Sequence, residues 1–166
     1  MKTLIIIRHA KSSWDDASLS DFERVLNKRG ERDAPHMGKV LNEIGINPDL
    51  ILSSPANRAH TTAKFFAQAL NYPEDRIVTN ETIYDRGPQQ ILYLLNELDE
   101  SFKTVMLFGH NPDLSFLAKY LSNYDAGNLP TCGVVCIDFK SDNWVNIGEE
   151  KGKMRFFEFP KKYFKN

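Results

Sequence analysis

The sequence has almost no excess of charge of either sign. It carries 21 lysines and arginines against 22 aspartates and glutamates, which gives a formal net charge of -1. Such a chain has no global field that would attract nucleic acid or an anionic membrane surface. We therefore expect no nucleic-acid partner, and any affinity for an anion must come from a few locally placed cations.

Long apolar runs are also absent. The run that follows Lys2 covers only residues 4–7 and ends at Arg8, so it is too short for the hydrophobic region of a signal peptide. No later stretch approaches the length of a membrane span. We expect a cytoplasmic protein that does not associate with a membrane.

The chain has only two cysteines and no Gly/Ser/Pro-rich linker or internal repeat. Cys132 and Cys136 lie in an apolar run that reads as a strand, where both would point to one face but too far apart for easy pairing. The spacing also lacks the second ligand pair of a structural zinc site. We expect buried, reduced thiols, no metal or other cofactor, and one monomeric domain spanning residues 1–166.

Apolar runs alternate with helical patterns along most of the chain. The runs predict buried strands, which cover residues 3–7, 50–52, 77–78 and 104–108, and later strands at 133–139 and 154–159. Apolar spacing predicts helices over residues 29–44, 57–70 and 89–98, and one more that begins near Pro112. Residues 11–27 and 80–88 read as loops. This order predicts an α/β three-layer sandwich with a mostly parallel central sheet flanked by helices.

Cationic and imidazole side chains follow three of the predicted strands. Arg8 and His9 follow the first strand, Arg58 lies in the helical turn after the second, and His110 follows the strand at 104–108. Ligands of open parallel sheets bind beyond the carboxyl ends of the strands. Taken singly, each of these residues would be interpreted as a solvated side chain at the end of a strand, in a turn or on a helix. Together at one sheet edge they would repel one another unless an anion lay between them.

This combination of side chains suits phosphoryl transfer. A phosphoryl group in transfer spreads charge over its oxygens, and two guanidiniums can match that charge through bidentate hydrogen bonds. One histidine, neutral at one ring nitrogen, can attack phosphorus, and the other can donate a hydrogen bond to the same oxygens. The four side chains supply the positive charge, so the chemistry requires no metal.

Four segments resemble a known family. RHAKSSW, LSDFERVLNKRGERDAPHMG, SSPANRAHTTA and FGHNPDLS are similar, in this order, to the small SixA-type phosphohistidine phosphatases of the histidine phosphatase (phosphoglycerate mutase-like) superfamily. The resemblance implies that His9 is the nucleophile, that Arg8 and Arg58 bind the phosphoryl group, and that His110 is the second catalytic histidine. Ala10 departs from the superfamily's usual glycine, and Val25 from a proline common in relatives.

The proton donor to the leaving group is less well marked. The superfamily uses a carboxylate, for which Glu81 is the nearest candidate and Asp85 the alternative; a solvated loop carboxylate is an equal interpretation. SixA-type proteins have no well-marked residue here. A protonated imidazole leaves readily, so a weak or absent acid favours phosphoramidate and aryl substrates.

The short chain also bears on the substrate. About twenty residues separate residue 70 from the next predicted helix, which leaves little material to cover the pocket. We therefore favour phosphohistidine on a protein, with a broad-specificity small-molecule phosphomonoesterase or a non-catalytic phosphate-binding module as alternatives.

The roles of several other residues stay open in the sequence. Lys11 reads as a phosphate contact or a solvated residue, and Trp14 as a partner contact or a cap on the core. Basic residues near the C-terminus read as a solvated tail and comprise Lys161, Lys162 and Lys165.

Overall fold

The computed structural model describes residues 1–125 and 127–164. The strands are β1 (Lys2–Arg8), β2 (Leu50–Ser53), β3 (Val78–Thr79), β4 (Thr104–Gly109), β5 (Val134–Phe139) and β6 (Gly152–Glu158). The α-helices are α1 (Lys28–Ile44), α2 (Asn57–Ala69), α3 (Thr82–Asp85), α4 (Pro88–Asn96) and α5 (Asp113–Ser122). None of the helices among these residues is long and apolar enough to cross a membrane.

All six strands belong to one mixed sheet, in the order β3-β2-β4-β1-β5-β6. The pairs β1–β4, β2–β4 and β2–β3 are parallel, and β5 is antiparallel to both β1 and β6. Only β5 therefore opposes the common direction of the other strands. The mostly parallel sheet predicted from the sequence is confirmed.

Each face of the sheet is covered by helices. In β1, Leu4 and Ile6 belong to one core cluster while Ile5 and Ile7 belong to the other, because successive side chains of a strand point to opposite faces. The first cluster includes residues of α4 and α5, and the second includes residues of α1 and α2. These are the three predicted layers, with every β1 residue from 4 to 7 fully buried.

The prediction of a loop over residues 80–88 is wrong in part, because this segment contains α3 and the first residue of α4. The side chain of Asn80 accepts a hydrogen bond from the backbone N–H of Thr82 at 2.8 Å. Ile83 is fully buried in the core. A single apolar residue gives no periodicity to read, so the sequence pattern does not reveal so short a helix.

Cys132 also differs from the prediction, because it lies before β5 rather than within it. Its backbone has φ of 59° and its N–H is shared between the carbonyl oxygens of Arg8 and His9, both at 3.0 Å. After this turn, β5 starts at Val134, one residue later than the predicted start at residue 133. Cys132 and Cys136 are both buried free thiols.

The C-terminal basic residues are more structured than the predicted solvated tail. Lys162 lies in a short 3-10 helix, Pro160–Lys162, and its Nζ is 3.1 Å from a carboxylate oxygen of Glu158. Lys165 lies outside the described residues.

Hydrogen bonds join the segment that follows His9 to the residues at the start of α1. The backbone N–H of Asn27 donates to the carbonyl oxygen of Lys11 at 3.0 Å, and the side chain of Asn27 accepts from the N–H of Gly30 at 2.9 Å, which caps the helix. Gly30 allows this close approach, because a Cβ there would overlap the carbonyl oxygen of Lys11. The helix ends at Ile44, as predicted, and Gly45 follows it in the left-handed region at φ of 96°.

We predict that Gly30→Ala lowers the free energy of unfolding by about 1–3 kcal/mol, because overlap with a backbone atom forces the two segments apart. The gain in helix propensity, about 1 kcal/mol, is too small to offset this. Urea denaturation measures the change. Gly148→Ala is the matched control, since nothing lies near its added Cβ. Equal stability of Gly30→Ala and the wild type would contradict the prediction.

Candidate active site

The carboxyl ends of β1, β2 and β4 bring the predicted residues together. The N–H of His9 donates to the carbonyl oxygen of Gly109 at 3.0 Å, and the N–H of Ser54 donates to that of Phe108 at 2.9 Å, which extends the ladder beyond the strands. The rings of His9 and His110 consequently lie side by side, with centroids 5.2 Å apart. Backbone pairing across the sheet therefore sets the spacing of the two imidazoles.

His9 is held as a neutral ring with one defined tautomer. It is only 6% exposed, and its Nδ1 lies 2.7 Å from the carbonyl oxygen of Ala10. A carbonyl oxygen only accepts, so Nδ1 carries the hydrogen and Nε2 keeps its lone pair. Burial lowers the pKa of His9 to about 3; the hydrogen bond to Ala10 opposes this, and the charges of His110, Arg58 and Arg8 add to it. Nε2 is thus available as a nucleophile at neutral pH.

In both arginines, one guanidinium nitrogen donates to a backbone carbonyl oxygen while another has no hydrogen-bond partner among the described residues. Nη1 of Arg8 donates to the carbonyl oxygen of Leu129 at 2.9 Å. Nη1 of Arg58 donates to the carbonyl oxygen of Asp21 at 2.7 Å. The Nε atoms of both arginines are buried and, within the described part of the chain, have no hydrogen-bond partner. A buried donor without a partner is costly, so both N–H groups suit an incoming oxyanion.

His110 offers a third unpaired donor. Its Nε2 lies 2.8 Å from Oγ of Ser54, which accepts the N–H of Ala56 at 3.2 Å. If Ser54 donates its own hydrogen to Nε2, the neutral ring carries its hydrogen on Nδ1, which is buried and unpartnered among residues 1–125 and 127–164. Burial lowers the pKa of His110 to about 4, the charge of Arg58 adds to this, and Asp21 opposes it.

Asp21 and Tyr84 join the site although they are absent from the predicted set. A carboxylate oxygen of Asp21 accepts from Nη2 of Arg58 at 3.1 Å and from the hydroxyl of Tyr84 at 2.7 Å. Burial tends to raise the pKa of Asp21, but the hydrogen bond from Tyr84 and the charge of Arg58 lower it overall. The ring of Tyr84 packs edge-on against that of His110, with centroids 5.5 Å apart. Asp21 thus provides the anion that the clustered cations require.

Only indirect signals in the sequence point to these two residues. Asp21 lies in the LSDFER segment that carries the family resemblance, and Tyr84 lies in the segment that holds the candidate acids. Their contacts join residues 37 and 63 positions apart, so no local pattern shows them.

Glu81 lies at the start of α3, and its side chain is 85% exposed. Its carboxylate lies 4.0 Å from Nη2 of Arg86, and no hydrogen bond or ion pair in the described chain joins it to the four central residues. Asp85 is likewise exposed, at the end of the same helix. In the same part of the chain, no group of three or more His, Cys, Asp or Glu side chains could hold a metal ion.

Comparisons with known proteins identify the family. Residues 4–87 match the profile of the histidine phosphatase superfamily (branch 1). An uncharacterised chloroplastic protein of Arabidopsis thaliana is 34% identical over 151 residues, which cover 86% of this chain and 69% of that protein.

Solved structures agree with the family match. A structure provisionally named as phosphohistidine phosphatase SixA of Agrobacterium tumefaciens superposes with a TM-score of 0.82 at 27% identity, covering 96% of this chain and 98% of that one. The protein histidine phosphatase SixA in complex with tungstate has the same fold, with a TM-score of 0.77 at 21% identity and the same coverage.

The fold and the family match together define a phosphatase built on a phosphoglycerate mutase-like sheet. The chain belongs to the histidine phosphatase superfamily, branch 1. Within that superfamily it resembles the small SixA proteins over nearly its whole length.

We predict that the two buried histidines make the fold sensitive to acid. The pKa of His9 is about 3 and that of His110 about 4 in the folded chain, so both bind protons more readily when unfolded. As pH falls from 6.5 towards 4, the free energy of unfolding should drop by about 1.4 kcal/mol per pH unit for each ring, and His110→Gln should make this slope shallower by that amount. Urea denaturation across this range measures both slopes. Identical slopes would refute the assignment.

Proposed function

We propose that the protein is a metal-independent phosphatase that removes phosphoryl groups from phosphohistidine on proteins, through a covalent phosphohistidine at His9. The observation that carries the proposal is the buried His9–His110 pair, on which the charges of Arg8 and Arg58 both act, together with the unpaired Nε atoms of the two arginines and the unpaired Nδ1 of His110. A phosphate-binding module would need the arginines but not a histidine whose tautomer exposes a lone pair.

In the first step, Nε2 of His9 attacks phosphorus in line with the leaving group. The new P–N bond forms as the bond from phosphorus to the leaving nitrogen or oxygen breaks, and the leaving atom takes up a proton from solvent or, for an ester, from the candidate donor Glu81. In the second step, a water molecule attacks phosphorus and gives up a proton to solvent, the P–Nε2 bond breaks, and inorganic phosphate leaves. His9 returns to its neutral state, with Nδ1 still donating to Ala10.

The arginines and His110 stabilise the phosphoryl group during both steps. Arg8 and Arg58 hold its oxygens through the unpaired Nε–H groups, and His110 donates from Nδ1. A bound dianion would reverse the effect of the neighbouring charges and raise the pKa of His110, so that it binds the anion as a cation. These groups provide the charge that a metal would otherwise supply.

Phosphohistidine is the favoured substrate because of its leaving group. An imidazole that accepts a proton leaves far more readily than an alkoxide, so the reaction tolerates the exposed position of Glu81. The structural similarity to SixA proteins supports the same choice. Small phosphoesters cleaved by the same residues are the second candidate. A cytoplasmic location and a monomeric state stay predictions.

The covalent step predicts a labelled enzyme. The enzyme is incubated briefly with a protein that carries radiolabelled phosphohistidine and is then denatured without acid. The wild type should carry an acid-labile label, also in the presence of EDTA. His9→Ala should carry none and should lose turnover by roughly 10⁴-fold or more. His60→Ala, which changes a half-buried histidine of α2, is the matched control and should keep the label. A label on His9→Ala, or loss of activity in EDTA, would overturn the mechanism.

The effect of replacing Glu81 should depend on the leaving group of the substrate. If Glu81 is the proton donor for esters, Glu81→Gln should slow hydrolysis of alkyl phosphates such as sugar phosphates by about tenfold or more, but that of a phosphohistidine protein by less than about threefold. Comparing kcat/KM for both substrates tests this. Unchanged ester hydrolysis would remove Glu81 as the donor. A wild-type preference for the sugar phosphates would instead favour the small-molecule phosphatase.

A further inference from the structure

Three apolar side chains lie exposed on the segment that joins β1 to α1. Trp14 is 74% exposed, Phe22 42% and Val25 46%, and we call this set the aromatic rim. So large an exposure shows that Trp14 is not a cap on the core. Exposed apolar patches of this kind on a soluble fold often mark interaction sites.

The indole of Trp14 is held in place although it faces solvent. The guanidinium of Arg24 stacks on the ring, with its central carbon 3.5 Å from the ring centroid. Arg24 is itself buried, and its Nη1 donates to Oγ of Ser12 at 2.8 Å. Because the ring is already supported, a partner that covers it loses less conformational freedom on binding.

The aromatic rim is continuous with the catalytic site. The ring of Phe22 packs edge-on against that of Tyr84, with centroids 5.3 Å apart, and Tyr84 in turn packs against His110. On the other side, Nε of Arg24 lies 3.4 Å from a carboxylate oxygen of Asp21, which pairs with Arg58. A substrate that places its phosphoryl group at the cations can therefore cover the rim with the residues beside it.

Exposed carboxylates lie next to the rim residues in the sequence. Asp15, Asp16 and Glu23 are all exposed on this segment. Asp16 accepts hydrogen bonds from Ser18, and Glu23 accepts them from Ser20, so these charges have fixed positions. Residues 11–25 carry four carboxylates against two cations, Lys11 and Arg24, so this segment is net negative, whereas the side chains of Arg8 and Arg58 in the pocket are positive. The complementary ligand has a phosphoryl group at its centre and basic side chains beside it.

We propose that the aromatic rim is the docking surface for the phosphorylated protein, and that it selects segments with apolar and basic side chains next to the phosphohistidine. The inference rests on the proposed function and adds the class of partner to it. A sugar phosphate or nucleotide fills the cationic pocket without needing the indole of Trp14.

The test compares two chemically phosphorylated phosphohistidine peptides of equal length. One carries leucine and lysine around the phosphohistidine, the other serine and glutamate, and p-nitrophenyl phosphate is measured alongside. The wild type should prefer the first peptide by about tenfold or more in kcat/KM, a factor within the range of an aromatic anchor residue. In Trp14→Ala the preference should fall to within about twofold, with p-nitrophenyl phosphate hydrolysis unchanged.

Tyr93→Ala is the matched control, because it removes an aromatic side chain that is 49% exposed on α4. It should keep the wild-type preference. Hydrolysis of both peptides without preference, or a preference that survives in Trp14→Ala, would overturn the docking surface but leave the phosphohistidine activity intact. Failure to hydrolyse either peptide, with p-nitrophenyl phosphate turned over, would refute the substrate proposed above and this inference with it. A dimer that Trp14→Ala dissociates would assign the rim to a second copy of the chain.

Discussion

The site depends on one ion pair, between Asp21 and Arg58. Burial lowers the pKa of both histidines, and the charges of Arg8 and Arg58 lower it further, so the cations at this sheet edge disfavour one another. The carboxylate of Asp21 offsets part of this repulsion, and 50% of its side chain remains accessible to solvent. Because Asp21 stays partly in water, its desolvation costs little free energy. The ion pair can therefore hold Arg58 in place without the cost of burying both charges.

The rest of the site follows from the sheet. Parallel pairing of β1 with β4 places Arg8 opposite Gly109, and the residues that follow, His9 and His110, continue in register. Because β1 and its neighbours are buried on both faces, a shift of register would break both core clusters at once. The distance between the rings of His9 and His110 is therefore fixed by the interior of the protein rather than by the loops around the pocket.

This explains what the sequence could and could not predict. Buried parallel strands appear as apolar runs, so their ends can be located, and with them Arg8, His9 and His110. Features that depend on tertiary contacts leave no such trace. The helix α3 forms around the single buried side chain of Ile83, and the turn at Cys132 forms because its N–H meets the carbonyls of Arg8 and His9. The contact of Asp21 with Arg58 spans 37 residues and has no local pattern.

The bond from Nδ1 of His9 to the carbonyl of Ala10 has a consequence for how the sequence can vary. The acceptor belongs to the main chain, which every amino acid shares, so no replacement at position 10 can delete it. Two other features constrain that position: the alanine methyl group is fully enclosed, and the N–H of Ala10 donates to Oγ1 of Thr62 at 3.0 Å. The hydrogen bond that sets the tautomer of His9 therefore does not depend on which side chain stands at position 10.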